Sequence, residues 1–273
     1  MTSESKARTS PPAAFAGDIQ AIGRCAQVLR LFSTTQRSLR IADVAAELGL
    51  QRTTAHRYLS SMARVSLLER GPEGTYSLGP LLVQLGTVAL RSLRVLEIAD
   101  PHVQRLANEA DETAVLAVWG GLGPVVARVH ESADRLVNIV VRVGSPLPLE
   151  AAQSQVFLAF LNDPATERRL LSQLPDSRRR ETQRHIETAR RDGYLLSSEV
   201  IQGIRAIAAP VFDGHRQICA TLALVGTVNG IPDDPGSSLV SALVHTAKEL
   251  SRELGYVGAF PYESTSSSDQ SAS

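Results

Sequence analysis

Residues 51 to 57 bring together side chains that can bind phosphate groups and the edges of nucleobases. Arginine pairs with guanine edges and with phosphates, and a threonine hydroxyl near the start of a helix can bind phosphate. The free N–H groups and the dipole of a helix N-terminus also favour an anion. The candidate nucleic-acid contacts are Gln51, Arg52, Thr53, Thr54, His56 and Arg57, with Arg57 the first choice.

Three amphipathic helices are predicted to position these residues. Apolar residues fall on one face at 22, 25, 26, 29 and 32, and again at 41, 44, 45 and 48, after which Gly49 ends the second helix. The third helix, from about 51 to 65, has a basic outer face and an inward stripe of Ala55, Tyr58, Leu59 and Met62. Two helices joined through a glycine turn, the second basic on its free face, are typical of a helix-turn-helix.

A β-hairpin is predicted directly after these helices. Residues 67–70 and 75–78 form two short strands around the turn Gly71-Pro72-Glu73-Gly74. A hairpin in this position is the wing of a winged helix domain, and it adds Arg70 to the candidate DNA contacts.

The charge distribution indicates a nucleic-acid role for this part of the chain alone. The whole chain has a formal net charge of zero, but residues 1–94 carry a net +6 and the remaining residues a net −6. A basic module joined to an acidic one is expected when only one of the two meets phosphates. The alternative, a basic helix face that is merely solvated, does not explain the helix, hairpin and charge pattern together.

The next helix is predicted to join two copies of the chain. Its apolar residues 81, 82, 85, 88 and 89 share one face as far as about 94, and the helix has little core of its own to join. Packing against a second copy would bury that face, so we interpret this segment as a dimerising linker helix.

The second half of the sequence predicts an α+β domain built around one sheet. Helices are predicted near 96–110, 151–161, 166–173, 178–192 and 236–254. Strands are predicted at 113–119, 124–129, 136–141, 194–199, 204–212 and 217–225, the last two joined by an Asp213-Gly214 turn. The predicted divisions are a disordered tail at 1–17, a winged helix-turn-helix domain at 18–79, a linker helix at 80–94, the α+β domain at 95–258 and a second disordered tail at 259–273.

The order of several motifs resembles that of the IclR family of regulators from about residue 18 to 256. The matching runs are 41–50, 53–59, 76–80, 101–102, 144–149, 192–194 and 203–213. The resemblance implies a GAF-like effector domain, dimers or tetramers on palindromic double-stranded operators, and a small-molecule effector. Where the family usually opens its second helix with serine or threonine, this chain has Arg40, which cannot accept the free N–H bonds. The cap is therefore expected to shift to Ser38 or to be lost, at a cost of about 1 kcal/mol.

The resemblance also implies an effector cup, formed by the sheet, the loop after it and the following helix. Its expected lining is Ile139, Leu147, Gln153, Ser154, Leu196 or Ser197, Ile204, Ala206, Ala223 and Val225. Relatives that bind small keto acids have a thiol and two hydroxyls where this chain has Ala206, Ala223 and Val225. A more apolar cup favours a larger hydrophobic ligand, and we expect an aromatic acid or a similar compound. The alternative is a collapsed cup that holds no ligand.

Other classes of protein find little support in the sequence. No run of 18 uncharged apolar residues predicts a membrane span, and the polar N-terminus does not look like a secretory signal. Two distant cysteines in apolar surroundings indicate a reduced, cytoplasmic protein. Metal-ligand spacing, a nucleophile elbow and phosphate-binding glycine loops are absent, so we expect no cofactor, no metal and no catalytic residues.

The expected function is DNA-binding regulation, with repression favoured over activation. The alternatives are a ligand-independent regulator, a GAF-like enzyme and a signalling module that binds no DNA.

Overall fold

The computed structural model describes residues 19–132, 141–197 and 202–261 of the chain. The chain divides into two compact units, Met1–Ser92 and Leu93–Ser273, and each is described by itself. In these three described ranges, no helix is long and apolar enough to cross a membrane.

The first unit is a small helical domain with a three-stranded sheet. Its core is formed by Val28, Leu39, Val44, Leu59 and Tyr76 together with other buried apolar residues. The helices are α1 (Gln20–Leu29), α2 (Ile41–Leu48), α3 (Arg52–Arg64) and α4 (Pro80–Ser92), and the strands are β1 (Ser38–Arg40), β2 (Leu68–Arg70) and β3 (Thr75–Leu78). This arrangement confirms the predicted winged helix-turn-helix, with a short 3₁₀ turn over Pro72–Gly74 at the tip of the wing.

The wing contains one strand that the sequence did not predict. β1 pairs antiparallel with β3, so the sheet has the order β1-β3-β2 rather than being a simple hairpin. Only Leu39 of this three-residue strand is buried. A strand so short shows no alternating pattern, which is why the sequence gives no sign of it.

The start of α2 also differs from the expectation. Arg40 is the N-cap residue, and its N–H donates a hydrogen bond to the carboxylate of Asp43 at 3.0 Å. Of the two expected outcomes, the shift of the cap to Ser38 is wrong, because Ser38 lies in β1, whereas loss of the side-chain cap agrees with the structure, in which Arg40 makes no side-chain capping hydrogen bond. An acidic group in the first turn also suits the helix dipole, so Asp43 partly compensates for the unsuitable cap residue. At the other end of α2, Gly49 adopts the predicted left-handed conformation, with φ of 62°.

The second unit is an α+β domain around one antiparallel sheet, as predicted. The strands β4 (Thr113–Trp119), β5 (Pro124–His130), β6 (Leu195–Ser197), β7 (Ile204–Phe212) and β8 (Ile218–Thr227) have the order β5-β4-β8-β7-β6. The helices are α5 (Arg94–Ala110), α6 (Ala152–Phe160), α7 (Pro164–Leu171), α8 (Asp176–Asp192) and α9 (Ser238–Glu253).

Helices cover both faces of this sheet, and the alternation of side chains along the strands creates two cores. On one face, Leu116, Ile207 and Leu222 pack with apolar residues of α5 and α9. On the other face, Ala208 and Ala223 pack with α6, α7 and α8. The side chains of each strand point alternately to the two faces, so any residue can be assigned to one core from its register.

Two details of this domain differ from the sequence interpretation or extend it, and one predicted strand is untested. The loop between β7 and β8 spans residues 213–217, and its left-handed residue is Arg216 (φ 61°) rather than Gly214. Phe260 falls in the segment predicted as a tail, yet it is buried, with its ring 4.8 Å from that of Tyr256. Most of the strand predicted at 136–141, including Ile139, lies outside the described residues.

Candidate DNA-binding surface and effector site

The outer face of α3 carries most of the predicted DNA contacts. Ala55, Leu59 and Met62 are buried in the core of the unit, which turns the opposite side of the helix to solvent. Thr54 is half-buried, and Tyr58 of the predicted inward stripe is half-buried too. The exposed candidates on or next to this helix are Gln51, Arg52, Thr53, His56 and Arg57.

A cleft of about 670 Å³ separates α3 from the wing. His56 and Arg57 line it from the helix, and Arg70 and Tyr76 line it from the strands. The structure therefore brings the predicted wing contact, Arg70, to the same surface as the helix contacts. Arg64, Ser60 and Ser61 also line this cleft and were not among the predicted contacts.

The basic side chains of this surface differ in whether they already make hydrogen bonds within the protein. Arg64 donates to Ser61 Oγ at 3.2 Å, and His56 Nε2 lies 3.2 Å from Ser60 Oγ. Within the described part of the chain, the structure shows no hydrogen bond or ion pair to the side chains of Arg52, Arg57 and Arg70. Unpaired guanidinium groups are free to bind phosphates or base edges without breaking an existing contact.

The N-terminus of α3 is open to an anion. Gln51 is the N-cap residue and its side chain makes no capping hydrogen bond. The free N–H groups of the first turn and the positive end of the helix dipole therefore face outward beside Arg52 and Thr53. This is the environment in which a DNA phosphate binds well.

The predicted effector residues on the sheet lie mostly on the face covered by α6, α7 and α8. Ser197 pairs with Ala206, Ala206 with Val225, and Val225 with Thr113, so these four residues form one row across the sheet, the Ser197 row. Ala223 shares this face, as does Ile204 by its register. Leu196 does not: it packs on the opposite core with α5 and α9, so of the pair Leu196 and Ser197 only Ser197 faces the predicted cup.

The side chain of Gln153 lies over the middle of this face and is already hydrogen-bonded. Its Nε2 donates to the backbone oxygens of Val115 at 3.2 Å and Thr221 at 3.0 Å, and it lies 3.3 Å from Thr221 Oγ1. Gln153 therefore ties α6 to strands β4 and β8.

Leu147 and Ser154 line a separate cavity of about 130 Å³, the Trp119 cavity. Trp119 lies six residues along β4 from Thr113, so it is about 20 Å along the strand from the Ser197 row. The predicted effector residues are thus divided between two places, and no single cup unites them in the described residues. The described residues that line it are Trp119, Leu122, Gly123, Pro124, Leu147, Leu149, Ser154, Leu158, Leu170 and Gln173.

Several buried polar side-chain atoms of this domain have no hydrogen-bond partner among the residues that the structure describes. They include the hydroxyls of Ser154 and Ser197 and both amide atoms of Gln155. Sequence analysis had proposed Ser154 and Ser197 but missed Gln155, Trp119 and Gln173. The position of the only tryptophan at a strand end was the one signal that could have drawn attention to this cavity.

Neither cysteine is suited to nucleophilic chemistry. Burial, with a smaller contribution from Asp213, raises the pKa of the Cys219 thiol to about 12. Burial also raises the pKa of Cys25. Among the residues with described positions, no group of three or more His, Cys, Asp or Glu side chains could hold a metal ion.

A basic helix beside a wing, joined to an α+β domain, defines a winged helix DNA-binding protein with a second, separately folded domain. The family comparisons agree. The sequence model of the IclR helix-turn-helix domain matches residues 21–72, and that of the bacterial transcriptional regulator IclR C-terminal domain matches residues 87–252. The chain belongs to the IclR family of bacterial transcriptional regulators.

Individual relatives match over nearly their whole length. The glycerol operon regulatory protein of Streptomyces griseus is 30% identical over 252 residues, which cover 88% of this chain and 98% of the relative. The transcriptional repressor IclR of Escherichia coli K12 is 24% identical over 250 residues, covering 88% and 91%. The crystal structure of an IclR homolog from Microbacterium hydrocarbonoxydans, in complex with 4-hydroxybenzoate, has a TM-score of 0.66 at 24% identity and covers 86% of this chain and 98% of its own. At that identity the last match supports the fold alone.

Proposed function

We propose that this regulator binds its operator with the outer face of α3 in the major groove and the wing against the DNA backbone. The observation that carries the proposal is a set of exposed arginines whose side chains have no partner among the described residues. Arg57 and Arg70 line one cleft of the winged domain, and Arg52 lies at the open N-terminus of α3. Arg52 and Thr53, at the open N-terminus of α3, bind phosphate. Arg57 and His56, one turn further along the helix, reach base edges or the adjoining phosphates. Thr54 and Gln51 contribute from the edges of this surface.

The variant Arg57→Ala tests this assignment. If Arg57 contacts a phosphate, the variant binds all DNA sequences more weakly, and the slope of log affinity against log salt falls by about 0.9. If it contacts a base, discrimination between operator and random DNA falls by about 1–3 kcal/mol. Arg184→Ala, which removes the same charge from the exposed surface of α8, is the matched control. Unchanged binding of Arg57→Ala to both DNAs at every salt concentration would show that α3 does not read DNA through this residue.

We further propose that α4 joins two copies of the chain. Leu85 and Val88 of the predicted face are 52% and 64% exposed, and Val83 and Leu90 on the other side of the helix are 69% and 51% exposed. Exposed apolar residues in this density mark an interaction surface. We propose a second copy of the chain as the partner, because a palindromic operator is bound by two DNA-binding domains related by two-fold symmetry. A tetramer would add a further contact between such dimers.

Charge introduced on this face should separate the subunits. Leu85→Glu with Val88→Glu is expected to give monomers in sedimentation velocity, because glutamate cannot be buried in an apolar interface without a partner. Gln84→Glu, which introduces charge at an exposed polar position of α4, controls for a general effect of charge on the helix. A double variant that sediments like the wild type would remove α4 from the dimer interface.

We also propose that the second domain binds an aromatic acid or a similar catabolic compound as effector. The apolar character of Ala206, Ala223 and Val225 supports this ligand class, and a protein of the same fold is known in complex with 4-hydroxybenzoate. The bonded amide of Gln153 supports the alternative, a cup closed by its own side chain. Thermal unfolding with a panel of aromatic and aliphatic acids separates the two. A ligand at 100 times its Kd should add about 2.7 kcal/mol of stability, whereas a closed cup gives no shift with any compound.

The same proposal includes repression as the direction of control, supported by the relative named as a transcriptional repressor. It includes a cytoplasmic location and the absence of catalytic activity, supported by membership of a regulator family. A reporter fused to the DNA upstream of the gene should rise in activity when the gene is deleted. A fall in activity would instead indicate an activator.

A further inference from the structure

The Trp119 cavity has a closed floor and an open mouth. Ser154, Leu158 and Leu170 form the floor and are 1%, 0% and 4% exposed. Leu122 and Gln173 are exposed and form the mouth, while Trp119 forms a half-buried wall. The indole ring of Trp119 is held in place by Phe157, whose ring centre lies 5.5 Å away. The cavity is thus a shaped recess that a ligand can enter from solvent.

The side chains that line the cavity are apolar except for those of Ser154 and Gln173. The Ser154 hydroxyl is buried on the floor without a hydrogen-bond partner in the described residues, and the Gln173 amide stands at the mouth. A buried hydroxyl left without a partner costs free energy that a ligand hydroxyl could recover. None of the ten lining residues carries a charge. A carboxylate on this floor would therefore lose its hydration without gaining a cation.

The volume of the cavity fits a ligand that contains one aromatic ring. Its volume of about 130 Å³ is close to the roughly 150 Å³ of an apolar cavity that accepts benzene. A ring inserted beside Trp119 would contact the indole and the leucine side chains, and aromatic pairs of this kind are favourable. A bicyclic compound would extend into solvent.

From these observations we infer that the Trp119 cavity binds a monocyclic phenol, with the hydroxyl hydrogen-bonded to Ser154 and any acidic substituent held at the mouth. The inference rests on the proposed effector function and moves its site away from the Ser197 row. In that row Ser197 also has an unpartnered hydroxyl, but the adjoining sheet face is covered by Gln153. The Trp119 cavity has an opening that the structure shows.

Trp119 provides a direct readout because it is the only tryptophan of the chain. Phenol, 4-hydroxybenzoate, benzoate and toluene are titrated into the full-length protein, and tryptophan emission is recorded under selective excitation. Phenol and 4-hydroxybenzoate are expected to change the emission with saturation. Toluene should bind more weakly because it leaves Ser154 unpaired, and benzoate should bind weakest because its only polar group is charged. The absence of a saturable change with either phenol would overturn the inference.

Two serine variants locate the site. Ser154→Ala should weaken phenol binding by about tenfold, in line with the loss of one hydrogen bond, and leave toluene binding unchanged. Ser197→Ala removes the other unpartnered hydroxyl and should leave both affinities unchanged. If Ser197→Ala weakens phenol binding and Ser154→Ala does not, the site lies at the Ser197 row and the inference fails. Weakening of toluene and phenol alike by Ser154→Ala would also contradict it, since that shows altered packing rather than a lost hydrogen bond.

The failure of this inference and the failure of the effector function give different results. Melting shifts with aromatic acids but no change in Trp119 emission would keep an effector and reject this cavity. No melting shift and no emission change with any compound would reject both.

Discussion

The hydroxyls of Ser154 and Ser251 are both buried, yet their surroundings are opposite. Ser251 Oγ donates to the Ala247 carbonyl at 2.7 Å and accepts from the N–H of Phe212 at 3.0 Å. Ser154 has no such partner among the residues described. Ser251→Ala is expected to lower the free energy of unfolding by about 1–3 kcal/mol, because it leaves a buried N–H unpaired. Ser154→Ala should cost nothing or stabilise by up to about 1 kcal/mol. Urea denaturation checks this, and an equal loss in the two variants would show that Ser154 is hydrogen-bonded after all.

Cys219 should be unreactive in the folded protein. Because its folded-state pKa of about 12 exceeds the unfolded value of about 8.5, almost no thiolate forms at pH 8. By the same linkage, the stability that comes with the neutral thiol is complete below about pH 8.5 and is lost as the pH rises towards 12. In the Cys25→Ser variant, labelling by a thiol reagent at pH 8 should be slow until denaturant is added. Rapid labelling of the native variant would contradict this burial.

Single residues also show where prediction from sequence ends. Arg57 and Arg70 could be proposed as DNA contacts because helix periodicity exposes Arg57 and because a hairpin that follows three helices is a wing. Leu196 and Ser197 could not be distinguished, because a shift of one residue in register reverses the faces of a strand. The bonds of Gln153 to Val115 and Thr221 depend on contacts between residues 38 and 68 positions apart, which no local pattern reveals.

At the scale of elements, the wing depends on a close approach at Gly79. A Cβ at this position would overlap the Ser66 carbonyl oxygen and lie 2.8 Å from the backbone of Leu68. Gly79→Ala should therefore destabilise the winged domain by about 1–3 kcal/mol. Gly23→Ala is the matched control, because Gly23 lies in α1 with nothing within 4 Å of its added Cβ. That variant should gain about 0.5–1 kcal/mol from helix propensity. Thermal unfolding measures both, and a Gly79→Ala protein as stable as wild type would mean that the strand ends are not packed so tightly.

Helices and long strands were predictable from sequence, while short elements and caps were not. The pattern of α3 and the strands 113–119 and 204–212 is long enough to reveal its period, and all three appear as expected. The three residues of β1 are too few to show a period. The Asp43 contact that caps α2 is a single hydrogen bond, which no sequence pattern reveals. The conformation of the loop at 213–217 is stabilised by the Asp213 carboxylate, which accepts hydrogen bonds from the N–H groups of His215 and Gln217. The residue composition of the loop does not reveal these bonds.

At the scale of the whole molecule, effector and operator binding should influence each other. We propose that a bound phenol alters the operator affinity through the α4 segment, which links the two units in the sequence. Such coupling is reciprocal, so operator DNA must change the affinity for phenol by the same factor. Trp119 titrations with and without saturating DNA measure one side of this relation, and anisotropy titrations of labelled DNA with and without phenol measure the other. Identical affinities in both comparisons would show that the two sites are independent.

The charge division along the chain, +6 in residues 1–94 and −6 in the remainder, places the phosphate-binding capacity in the part that contains the winged domain. The most direct test is an anisotropy titration of the full-length protein on the DNA upstream of its own gene and on a shuffled DNA of equal length, over a series of salt concentrations. We predict binding to the upstream DNA that is at least about 10³-fold tighter than to the shuffled DNA and weakens steeply with salt. Equal affinity for the two DNAs, or affinity that does not respond to salt, would contradict the assignment of α3 and the wing as the operator-reading surface.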